Sequence, residues 1–187
     1  RPDNRISADD ILALTEAGHE AGVVASAEQQ VIENVFELET RTVETAMTSR
    51  ELIVFFALDD DEVLVRNRIA EQPHSTYLVC DGEIDRVVGY VDATDLFQRV
   101  LRGRSIRFRE DAGLVKKVLM VPDRLTLAEV LTQFRQAHED FAVIVNEYSL
   151  VVGVITLNDV MSTVMGSMVV TDEQEQQIVR RDDGSFL

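Results

Sequence analysis

Two stretches of this chain set out their apolar residues in the same order, 64 positions apart. In the later stretch Leu127, Val130, Leu131 and Phe134 recur at helical spacing, the apolar stripe of an amphipathic helix. Strand-sized apolar runs flank it: Val118–Val121 before, and Phe141–Val145 and Val151–Ile155 after, with a turn at Asn146-Glu147 between the last two. The earlier stretch follows the same plan. Ile53–Ala57 leads into an acidic turn (Asp59, Asp60, Asp61, Glu62), then a helix, the run Tyr77–Cys80, a turn at Asp81-Gly82 and the run Val87–Val91. A last helix opens near Asp92 in the first copy and near Thr156 in the second. Each copy therefore reads β-α-β-β-α, and the expected fold class is α+β.

The register between the copies needs no gap from Asp59 to Leu96. Asp59 matches Asp123, His74 matches His138, Val79 matches Val143 and Glu83 matches Glu147. Val87-Val88-Gly89 matches Val151-Val152-Gly153, and Asp95 matches Asp159. A whole turn–strand–glycine–strand–aspartate pattern in one register is an internal duplication, so the unit of the fold is one copy. Ahead of the copies, Ser7 with Asp10 and Ser26 with Gln29 have the spacing of helix starts, and Gly18 and Gly22 separate the two helices they open. After Gly166 the acidic stretch Thr171–Gln177 reads as a linker.

Composition narrows the function classes. Eighteen basic and 34 acidic residues leave a net charge of −16, which disfavours nucleic acid and anionic lipid as partners. The single cysteine, Cys80, excludes an intrachain disulfide and fits a reducing compartment. One cysteine and three histidines argue against a zinc site. The longest apolar runs, Leu52–Leu58 and Leu150–Leu157, are strand-sized and fall short of a membrane span. No nucleophile elbow, phosphate-binding loop, dinucleotide fingerprint or metalloprotease helix motif occurs, so no enzyme is expected. The opening Arg1-Pro2-Asp3 suggests a piece of a longer protein.

Certain residues carry a resemblance. Val43, Met47, Thr48 and Arg50 resemble the entry to the first cystathionine-β-synthase-type (CBS) domain of hemolysin-C-like and magnesium/cobalt-efflux-like membrane proteins, the cyclin-M-related family. Phe141–Tyr148 and Gly153–Val160 are similar to the same family's second domain, and Ile178–Phe186 to the start of its C-terminal transporter-associated domain. The resemblance implies tandem CBS repeats forming one CBS-pair module with N-terminal helices. Residues 1–42 would link to an upstream membrane domain, 43–102 and 103–168 would be the repeats, and 169–187 a linker and the start of the further domain. It further implies a regulatory module on the cytoplasmic face of the inner (plasma) membrane, attached to a cation- or solute-efflux protein and dimerising through its CBS helices. A ligand-free dimerisation module is the alternative.

The resemblance also implies an adenine nucleotide, ATP, ADP or AMP, with Mg2+ accompanying ATP, in a cleft between the domains. Thr156 and Asp159 would contact it, Thr48 would lie on the linker side, and Tyr77 and Val154 would sandwich the adenine. A carboxylate accepts hydrogen bonds from ribose hydroxyls, and a threonine hydroxyl and helix-start amides donate to phosphate. Thr156-x-x-Asp159 is equally a helix-capping box, which alone would explain both residues. In the first copy Asp92 replaces the threonine, caps a helix well and repels phosphate, so that copy is expected to bind a nucleotide poorly or only through a cation. The basic island Arg102, Arg104, Arg107 and Arg109 reads as a solvated link between the copies.

Overall fold

The computed structural model describes residues 5–166. The transporter-associated resemblance at Ile178–Phe186 and the linker Thr171–Gln177 lie outside the described residues. Helices α1 (Ala8–Glu20) and α2 (Ser26–Glu37) come first, then the two-residue strand β1 (Thr48–Ser49). The first copy is β2 (Phe55–Ala57), α3 (Glu62–Glu71), β3 (Thr76–Cys80), β4 (Val87–Asp92) and α4 (Ala93–Leu101). The second is β5 (Leu119–Pro122), α5 (Leu127–Ala137), β6 (Phe141–Val145), β7 (Val151–Thr156) and a helix α6 over residues 157–166. The expected α+β class and both β-α-β-β-α copies are present.

Local chemistry sets most boundaries. Ser7 and Asp10 form the expected reciprocal capping box on α1, and Thr126 with Glu129 forms another on α5. Asp61 caps α3 by accepting from the Leu64 amide at 2.8 Å. Ser26 departs from expectation: it is the first residue of α2, Ala25 holds the cap position, and no side chain caps that end. The turn before β7 places Ser149 at φ +62°, in the left-handed region that disfavours residues with a Cβ. Ser149→Gly is therefore expected to stabilise the protein by about 1 kcal/mol, read as a rise in denaturation midpoint.

In each copy the first strand runs parallel to the second and the second antiparallel to the third. The copies are woven together by the segments that precede them. β1, leading into the first copy, pairs antiparallel with β7 of the second, Thr48 opposite Val154. Lys116, leading into the second copy, bridges Tyr90 of β4 in the first, with N–H···O distances of 2.8 and 2.9 Å. Each lead-in thus extends the other copy's sheet.

Gly89 and Gly153 are the residues this weave requires. A Cβ on Gly89 would lie 2.1 Å from the Lys116 carbonyl oxygen, and one on Gly153 would lie 2.6 Å from the Thr48 carbonyl oxygen. The backbone of each lead-in occupies the space a side chain would need.

Each copy has its own core, built on Phe56, Tyr77, Val91 and Leu96 in the first and on Val121, Leu127, Ile144 and Ile155 in the second. A third cluster joins Leu78, Cys80 and Tyr90 to Phe141, Val143 and Val151, so the copies share apolar contact at their junction. Cys80 is fully buried there, as expected of an inert core residue, and burial pushes its thiol up to about 12. Helix α2 docks on the second copy. Val31 packs against its core, and the buried Asn34 amide donates to the Val164 carbonyl of α6 at 2.9 Å. Helix α1 buries no residue.

Candidate functional site

The junction of the copies opens on one side into a cleft of about 670 Å3, within the range of small-molecule sites. Thr48, Val154, Thr156 and Asp159 all line it. The weave is what gathers them: β1 lays Thr48 beside Val154 on β7, and β7 ends at Thr156, where α6 begins. Leu52, Ile53, Val54 and Leu78 of the first copy form an apolar wall facing Phe141 and Met161 of the second.

Tyr77 is elsewhere, which corrects the expectation that it sandwiches the ligand. It is fully buried in the first copy's core, with its ring 4.9 Å from Phe56. Its hydroxyl donates to the Gln72 carbonyl and accepts from the His74 amide, both at 2.8 Å. β3 is buried along nearly its whole length, so alternation could not tell which face of Tyr77 looks into the cleft. The neighbours on that strand that do line the cleft, Thr76 and Leu78, carry no motif signal.

The capping reading of Thr156 and Asp159 is realised. The Thr156 amide donates to Asp159 Oδ2 at 2.8 Å, and the Asp159 amide donates to Thr156 Oγ1 at 3.0 Å. The Leu157 amide donates to the Asp140 carbonyl at 2.8 Å. Three amides at the start of α6 are therefore already engaged, which narrows the expected helix-start donors to the amide of Asn158, a residue of the cleft lining. Thr156 Oγ1 keeps its own proton to donate, and Asp159 keeps acceptor capacity on its second oxygen.

An ion pair steadies the cleft from behind. Arg50, in the short turn after β1, donates to both oxygens of Asp85 at 2.5 and 2.9 Å and to the Val151 carbonyl at 2.9 Å. Asp85, in the turn between β3 and β4, also accepts from the Val151 amide at 3.0 Å. The bidentate bond to Arg50, then the Val151 amide, hold the Asp85 carboxyl below the usual carboxylate range. One pair thereby ties the lead-in, the first copy and the second copy together. The sequence held Arg50 within the entry motif but offered no sign of its partner.

The mirror position, where the second lead-in meets β4, is filled. Lys116 donates to Asp92 at 2.7 Å and lies 3.4 Å from Asp95. Asp92 does stand at the cap of α4, yet its carboxylate makes no capping bond because it is turned to Lys116. Tyr90, where the other side has Val154, is buried and donates across the junction to Glu139 at 3.2 Å. Lys116 replaces Thr48, Tyr90 replaces Val154 and Asp92 replaces Thr156, so two equivalent junctions have different chemistry.

Two of the four residues of the basic island, Arg107 and Arg109, are paired. Arg109 binds Asp59 at 2.5 and 2.9 Å, Arg107 reaches Glu110 at 3.3 Å, and Arg99 beside it pairs with Asp111.

A family model described as the CBS domain matches residues 111–166. The polyamine export protein of Salmonella typhimurium is 53% identical over 182 residues, 97% of this chain and 40% of that protein. The chain therefore spans about two fifths of the length of that curated relative. A CBS domain protein from Shewanella oneidensis, known from its crystal structure, is 30% identical with a TM-score of 0.62. That match covers 67% of this chain and 98% of the Shewanella chain. The CBS domain of a bacterial CNNM/CorC family Mg2+ transporter, solved in complex with ATP, is 25% identical with a TM-score of 0.65, over 74% of this chain and 97% of that one.

Proposed function

The chain belongs to the CBS-domain family, in its CNNM/CorC and hemolysin-like group, and from that premise we propose that it is the regulatory CBS-pair module of a membrane exporter of the polyamine-export kind. Its work is to bind an adenine nucleotide in the open cleft and pass the occupancy of that cleft to an attached membrane domain. The carrying observation is the convergence of Thr48, Val154, Thr156 and Asp159, from three separate elements, on one cleft between the copies. The ATP complex of a CNNM/CorC relative supports the choice of ligand.

In this reading Asp159 accepts from the ribose hydroxyls, Thr156 donates to phosphate, and Val154 and the opposing apolar wall hold the base. Thr48 closes the lead-in side. At the mirror junction Lys116 pairs with Asp92 and Tyr90 takes the place of Val154, so one nucleotide binds per chain. Residues 43–102 and 103–168 act as the two repeats, 1–42 as the connection to the membrane part and 169–187 as the lead to a further domain. The module performs no catalysis. No helix among the described residues is long and apolar enough to cross a membrane, so anchorage on the cytoplasmic face is assigned to the attached part.

Self-association has its own support. Phe97 and Leu101 on α4 and Met161 on α6 are exposed apolar residues, 53%, 85% and 43% accessible, and they suit a helix-mediated homodimer. If association were the whole function, no nucleotide would bind. Thermal denaturation with ATP, ADP and AMP separates the two cases. At one hundred times its dissociation constant a nucleotide adds about 2.7 kcal/mol, a midpoint rise of roughly 5–10 °C for a chain of this size. An unmoved midpoint with all three nucleotides leaves only the association role.

A further inference from the structure

The cleft has the wrong charge for a bare polyphosphate. Its lining includes Asp140 and Asp159, no lysine or arginine, and a single histidine, His74. The amides of Thr156, Leu157 and Asp159 are spent on protein acceptors, so the start of α6 has chiefly the Asn158 amide left to set against those two carboxylates. Asp140 immediately precedes β6, and its carbonyl holds the Leu157 amide, so it stands beside the start of α6, where phosphate is expected. Its side chain is exposed, and no hydrogen bond or ion pair engages its carboxylate among the described residues. Phosphate and Asp140 repel each other unless a cation lies between them.

We infer that the nucleotide is held here together with an aliphatic polyamine, whose ammonium groups lie between the phosphates and the Asp140 carboxylate. The inference rests on the nucleotide reading of the cleft given above. A divalent ion shared by the phosphates and one carboxylate is the competing cation, although no group of three His, Cys, Asp or Glu able to hold a metal by itself occurs among the described residues; the apolar part of the lining is what favours a polyamine over it. A polyamine needs only one carboxylate for each ammonium and an apolar surface for the methylenes between them. Leu52, Ile53, Val54 and Met161 supply that surface in the same lining. The chain's net charge of −16 concentrates such polycations around the protein. Nucleotide occupancy would then rise with polyamine concentration, and the module would report the level of the cation its attached exporter removes.

The test is calorimetric titration of the 187-residue chain with ATP in chelator, in chelator with millimolar spermidine, and in Mg2+. Adenosine serves as the uncharged control, and Asp140→Asn as the variant. Because Asp140 is exposed and its carboxylate unengaged, the variant is expected to melt with the wild type. Spermidine is expected to tighten ATP binding about tenfold, the scale of a typical coupling between two ligands, and to leave adenosine unchanged. Asp140→Asn should bind ATP alone more tightly than the wild type and lose most of the spermidine effect. An ATP affinity that spermidine does not raise overturns the inference, as does a spermidine effect that persists in Asp140→Asn, or one matched fully by Mg2+ in both proteins. Failure of the nucleotide reading is distinct: adenosine and ATP would then bind under no condition, and both ideas fall.

Discussion

Gly89→Ala is expected to lower the thermal midpoint by about 6–12 °C. The added Cβ would lie 2.1 Å from the Lys116 carbonyl oxygen and 2.9 Å from Val115 Cγ1. The carbonyl belongs to the backbone of the second lead-in, which its paired bonds to Tyr90 fix in place. No rotamer change relieves that contact, so the lead-in must leave β4. Overpacking costs up to about 3 kcal/mol when backbone must move, and each kcal/mol is worth about 2–4 °C in a chain of this length. Gly153→Ala meets the Met47 sulfur at 2.5 Å and the Thr48 carbonyl at 2.6 Å. It should be destabilising too, though less, because the methionine can swing away and the backbone carbonyl the added Cβ then meets is 2.6 Å off, against 2.1 Å at Gly89. It should also weaken nucleotide binding, because Thr48 is part of the cleft. Circular dichroism melts of both variants check this, and a midpoint within a degree of wild type for Gly89→Ala would refute the account of the weave.

Asp159→Ala is expected to reduce nucleotide affinity about a hundredfold while costing only about 1 kcal/mol of stability. The affinity loss follows from removing a charged acceptor of two ribose hydroxyls, each bond worth about 1.5–3 kcal/mol. The stability loss follows from removing the partner of the Thr156 amide in the capping box. The two roles separate in Asp159→Asn, whose amide oxygen can still accept from that amide: the melting point should recover while affinity stays well below wild type. If capping were the residue's whole role, Asp159→Ala would melt earlier yet bind nucleotide with unchanged affinity. Titration calorimetry beside a thermal melt distinguishes these outcomes.

The duplicated elements were legible because strand and helix periods and turn residues are local properties. Phe141–Val145 is the strand the apolar run marks out, and the α5 stripe at Leu127, Val130 and Phe134 is the buried face of that helix. The weave was not legible. β1 has two residues, and its partner lies over a hundred positions away, so no periodicity reports it. Its trace is the matched pair Gly89 and Gly153, which serves as a register mark in the sequence and a steric requirement in the fold. Of the site, Thr48, Val154, Thr156 and Asp159 were reached through family resemblance and do share a cleft, whereas Tyr77 was misplaced because β3 is buried along nearly its whole length. Asp92 was expected to cap α4, but the cation that diverts it comes from a distant segment that sequence spacing does not connect to it. Ser26 failed for a smaller reason, since either of two adjacent residues can hold a cap position and the chain uses Ala25.

The central claim is that one of two equivalent junctions is a nucleotide site and the other is closed by the protein's own side chains. A crystal structure of the chain grown with an adenine nucleotide tests it most directly. One nucleotide per chain is expected, its ribose hydroxyls on Asp159 and its base against Val154, with Lys116 still bound to Asp92. A nucleotide seated at the Asp92 and Lys116 junction, or an empty cleft under saturating nucleotide, would contradict it.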